Sequence, residues 1–97
     1  MPASHPESGE KIFKKGEIIY QQGDYIPAMY DVLWGQVALY VDYHKPTQRL
    51  LTEVGDEGFF GVVGFLESRP QNATAVAQWN VPLWAVYSAS PSGVFQS

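Results

Sequence analysis

Glycine divides this chain into pieces too short for helices of ordinary length. Gly16, Gly23, Gly35, Gly55 and Gly58 each sit in a polar turn, and brief apolar runs lie between them. Turn signals about every eight to twelve residues, with β-branched and aromatic residues between, are the pattern of a compact all-β domain. Taken in order, Glu17–Gln21 reads as a short strand, and Ala28–Trp34 as a run ending at Gly35. The clearest alternation follows: Val37, Leu39 and Val41 on one face, Gln36, Ala38, Tyr40 and Asp42 on the other. Arg49–Val54 and Val81–Tyr87 are further strands, and Pro82 sets the last one at a sheet edge or marks its beginning. Gly55-Asp56-Glu57-Gly58 is a tight turn whose two glycines suit positive φ. Six or seven short strands and one short helix predict a barrel or sandwich.

Composition narrows the function. The chain has 97 residues, 45% of them apolar and 14% aromatic, which suits one domain with a real core. Its net charge of −4 argues against nucleic-acid binding through this domain, because a phosphate backbone needs a basic surface. No apolar run approaches membrane-spanning length, so no membrane partner is expected. The chain has no cysteine, which excludes thiol catalysis and thiolate metal sites and suits a cytoplasmic location. Residues 1–10 read as a disordered lead-in and 11–97 as the domain. Ser90-Pro91 has the form of a helix start, with little chain behind it to continue one.

The stretch from Gly58 to Ala77 carries the candidate site. Phe59-Phe60 ends a strand, Gly61 turns, and Val62 to Leu66 supply one helical turn. A polar turn through Arg69-Pro70 leads to the small-residue strand from Ala73. Unpaired backbone N–H groups at a helix start suit an anion, and small residues let a ligand approach the backbone. Phe60, Gly61, Val62, Val63, Arg69, Gln71, Asn72, Ala73 and Thr74 are the candidate ligand-binding residues. Arg69 reads first as a solvated turn residue, and Asn72 equally as a turn stabiliser or a donor to a ligand. Trp34, Trp79 and Trp84 read as core or edge packing. Two isolated histidines, His5 and His44, cannot build a metal centre, and Ser88, Ser90 and Ser92 have no partnering base. No catalytic constellation is present, so an enzyme is not expected.

Four runs together resemble the cyclic-nucleotide-binding domain family. They are Lys14 to Asp24, Met29-Tyr30 leading to Gly35-Gln36-Val37, Gly58-Phe59-Phe60-Gly61, and Arg69-Pro70 leading to Ala73-Thr74. The family includes sensor domains of catabolite-activator-type bacterial regulators, kinase regulatory subunits and some ion channels. The resemblance implies a β jelly roll (a double-stranded β-helix) with one short helix in the ligand cassette. It also implies a small-molecule effector as ligand and a tendency to homo-oligomerise. Two positions depart from the family. A glutamate that takes the ribose hydroxyl is Val62 here, and an arginine that neutralises the cyclic phosphate is Gln71. A charge-assisted contact is worth ~1.5–3 kcal/mol and a neutral one about half that, so these changes remove roughly two to three decades of affinity. Relatives also carry a long helix after the last strand, whereas ten residues rich in Ser and Gly follow Tyr87. The expected function is a non-enzymatic regulatory ligand-sensing module with weak or lost cAMP or cGMP binding. The alternative is an interaction or dimerisation module on the same fold. No cofactor is expected beyond a weakly held cyclic nucleotide or another small anion.

Overall fold

The computed structural model describes residues 9–87. The expected disorder over most of the lead-in, the expected helix start at Ser90-Pro91 and the expectation about a long helix after the last strand all fall outside those residues. Eight strands and one helix follow in the order β1 (Gly9–Phe13), β2 (Ile18–Tyr20), β3 (Ala28–Val32), β4 (Val37–Val41), β5 (Arg49–Val54), β6 (Phe59–Phe60), α1 (Val62–Glu67), β7 (Thr74–Ala77) and β8 (Val81–Tyr87). They form two four-stranded sheets, ordered β1-β8-β3-β6 and β2-β7-β4-β5. Every pairing is antiparallel. The arrangement is the expected all-β jelly roll with one short helix.

Alternation decides which side chains enter the space between the sheets. From the first sheet come Ala28, Tyr30, Val32, Phe60, Val81, Leu83 and Ala85, and from the second Tyr20, Val37, Leu39, Ala75 and Ala77. The β7 alanines lie against larger β4 partners, Ala77 opposite Val37 and Ala75 opposite Leu39. This pairing sets small residues against large ones across the sheet. Ala38 is also fully buried, although alternation sets it on the opposite face from Val37 and Leu39. The centre of the second sheet is therefore covered on both sides.

Three local expectations change. Gly9 and Glu10, expected to belong to the lead-in, are part of β1 and pair with Ala85 and Trp84. β8 is an internal strand, flanked by β1 and β3, so Pro82 marks its beginning and not a sheet edge. The carbonyl of Pro82 accepts the N–H of Leu33, one residue past the end of β3. Its missing N–H thus falls where the ladder is already ending, which makes proline tolerable there. In the turn of residues 55–58 the positive φ falls on Glu57, at 68°, and on neither glycine. Gly58 is needed for space instead, since a Cβ there would run into the Val54 side chain.

Candidate functional site

The β6–α1–β7 segment folds back on the β2–β3 connection, and glycine makes both contacts. Gly61 has φ 84°, and a Cβ on it would lie 3.0 Å from the carbonyl oxygen of Ala28. One turn later a Cβ on Gly64 would collide with the Ile26 carbonyl and the Gln71 side chain. These glycines let α1 lie directly on backbone. No side chain caps the helix start, and Ser68 ends the helix in the left-handed region at φ 54°.

Gln71 is the most telling side chain. It is 2% exposed. Its Nε2 donates to Gly61 O at 3.3 Å and to Ile26 O at 3.4 Å. Its own backbone is held as well: the Gln71 N–H donates to Asp24 O at 2.9 Å, and Gln71 O accepts from Gly23 N at 2.7 Å. One residue therefore fastens the cassette turn, the start of the helix and the strap of residues 23–26 together. The buried polar group keeps its place because both amide hydrogens are used.

The remaining candidates divide by environment. Phe60 (3% exposed) and Ala73 (1%) are in the core. Val62 and Val63 are half-buried on α1. Arg69 stands in solvent, its guanidinium 2.9 Å from Glu67 Oε1. Asn72 is exposed and has no hydrogen bond among the described residues. Thr74 faces the outer side of its sheet, paired with Tyr40, and its Oγ1 accepts the Gln22 N–H at 3.0 Å. Only Phe60, Gly61, Gln71 and Ala73 converge on one interior region. The tryptophans do not pack as expected: Trp34, Trp79 and Trp84 are 61%, 58% and 42% exposed.

Behind the cassette stands an aromatic trio that sequence reading did not assemble. The rings of Tyr20, Tyr30 and Phe60 lie 5.3–6.1 Å apart between centroids. Burial pushes both phenols up, Tyr20 beyond any ordinary range and Tyr30 to about 12. The charge of Tyr30 adds to the effect on Tyr20, and the charge of Tyr87 and a hydrogen bond with it add to that on Tyr30. A hollow of about 220 Å³ flanks the outer end of α1, lined by Tyr25, Ile26, Pro27, Gly64, Ser68 and Arg69. Among the described residues no group of acids and histidines could hold a metal ion, and no helix is long and apolar enough to cross a membrane.

Known proteins share this architecture. The Dictyostelium discoideum cAMP-dependent protein kinase regulatory subunit is 33% identical over 81 residues, 84% of this chain and 25% of that one. The Thermus thermophilus catabolite activator protein superposes with a TM-score of 0.77 at 29% identity, over 82% of this chain and 38% of its own. The cAMP-bound structure of PfPKA-R gives the same TM-score and identity over 82% and 28%. This chain thus spans about a quarter of the curated relative it matches. The family model for the cyclic nucleotide-binding domain matches residues 10–95. With that match over most of its length, the chain belongs to the cyclic nucleotide-binding domain family.

Proposed function

We propose that the chain is a non-enzymatic regulatory module that senses a small ligand, and that it binds cAMP and cGMP weakly or not at all. The observation that carries this reading is the buried Gln71 amide. Both its N–H groups are directed to the carbonyls of Gly61 and Ile26. From Gly58 to Ala77 the sequence holds a single cation, Arg69, and that guanidinium is at the surface with Glu67. A cyclic phosphate entering the cassette would meet no compensating charge, and a buried anion without a partner is costly. Val62 offers the ribose no hydrogen-bond acceptor. Relatives with cAMP-linked names support an effector of similar size and shape. The reading includes a cytoplasmic setting and association with a second copy through exposed apolar strands.

The test is calorimetric titration of cAMP and cGMP into the wild type, Gln71→Arg, Val62→Glu and the double variant. The wild type is expected to bind weakly or undetectably. Gln71→Arg should recover roughly tenfold or more, since a guanidinium adds charge and paired donors. Val62→Glu alone should add little, because a carboxylate beside an unneutralised phosphate repels it. Tight binding by the wild type would overturn the proposal.

A further inference from the structure

A second cavity, of about 180 Å³, lies where β2, β4 and β7 meet the loops, on the far side of the second sheet from the cassette interior. Gln21, Gln22, Asp42, Tyr43, Lys45 and Thr74 line it. Its position outside the barrel follows from alternation. Ala73 and Ala75 belong to the core between the sheets, so Thr74, between them and opposite Tyr40, faces outward.

The cavity wall is held by hydrogen bonds that run across three elements. Gln22 N–H donates to Thr74 Oγ1 at 3.0 Å, and Asp42 N–H donates to Gln22 Oε1 at 2.9 Å. Thr47 Oγ1 donates to Asp42 Oδ2 at 2.8 Å, and Lys45 N–H closes the turn on Asp42 O at 3.0 Å. Three groups keep bonding capacity beyond these contacts, Asp42 among them although its Oδ2 already accepts from Thr47. Thr74 is 5% exposed, and among the described residues its hydroxyl hydrogen has no acceptor. The charges of Asp42 and Lys45 share the cavity wall, yet neither is in an ion pair among the described residues.

We infer that this cavity binds a small zwitterion of the free α-amino acid class. Asp42 would receive the ligand ammonium, and Lys45 with the Thr74 hydroxyl would receive its carboxylate. A simple anion would be opposed by Asp42 and a simple cation by Lys45, whereas a zwitterion satisfies both. At about 180 Å³ the cavity falls below the ~300–1,000 Å³ of pockets for larger ligands, which suits a small amino acid better than a nucleotide. The inference is independent of cyclic-nucleotide binding, since none of its groups except Thr74 lies in the cassette stretch.

The experiment is calorimetric titration of glycine, L-serine and L-glutamine into the protein, with acetate and methylammonium as half-ligands. Saturable binding is expected for at least one amino acid, with each half-ligand at least about tenfold weaker. Asp42→Asn and Lys45→Met should each weaken that binding by about tenfold or more. Asparagine tolerates the positive φ of Asp42 (58°) and keeps an acceptor for Thr47, so the loop is preserved. Near-ultraviolet circular dichroism checks that both variants are folded. Absence of saturable binding by all three amino acids, half-ligands that bind equally well, or indifference to both substitutions would overturn the inference.

Discussion

Gln71 ties together parts of the chain that are distant in sequence. Its two donors reach across 10 and 45 residues of sequence, to Gly61 and to Ile26. Gln71→Leu keeps comparable bulk but removes one donor from each carbonyl, leaving Ile26 O to the Ala28 N–H and Gly61 O to the Phe65 N–H, and the two lost bonds are expected to cost about 1–3 kcal/mol in urea unfolding. Gly64→Ala places a methyl against the Ile26 carbonyl and the Gln71 amide, and overpacking of that kind costs about 1–3 kcal/mol. Wild-type stability in Gly64→Ala would show that α1 can lift from the strap. The resemblance implied that Val62 and Gln71 stand where relatives carry charged recognition groups. The sequence could not show where the Gln71 amide points, because Ile26 has no side-chain signature: its carbonyl is the functional part. Thr74 was misplaced for a similar reason, since one step of strand parity separates a residue inside the cassette from one facing the second cavity.

Among the elements, those bounded by strong turn chemistry were read best. β5 and β8 run from Arg49 to Val54 and from Val81 to Tyr87, the limits expected from their flanking loops. β1 is not announced by the sequence, because Gly9 and Glu10 have no strand character of their own and pair with β8, more than seventy positions away. The Tyr20–Tyr30–Phe60 trio joins β2, β3 and β6, and no local pattern announces it. It makes the fold sensitive to alkali. A phenol whose folded pKa lies above its unfolded value of about 10 contributes stability fully below that value and loses it as pH rises through the folded pKa. For Tyr30 that window runs from about 10 to about 12. Denaturant midpoints should therefore fall across this range, and Tyr30→Phe should flatten the fall. Two late-ionising phenols in an absorbance titration at alkaline pH would report the same burial.

The whole molecule presents an uneven surface. On the outer face of the first sheet Trp84 (42% exposed) lies opposite Glu10 and Asp31, and Asp31 lies opposite Phe59 (57%). Ile12, beside them on β1, is 69% exposed. Exposed apolar side chains of this kind favour association, while the two carboxylates set among them oppose it. Reversible self-association is expected in sedimentation equilibrium, stronger at high salt and diminished by Trp84→Lys. A monomer at every salt concentration would rule this face out as a contact. The position of β8 between β1 and β3 also bears on how the molecule is made. β8 is the link between β1 and β3, so those two strands cannot be joined in one sheet while Val81–Tyr87 is still inside the ribosome. During synthesis β3 can pair with β6, and β4 with β5 and β7, ahead of β8, so β1 is the strand that waits longest for a partner, across roughly seventy residues of chain.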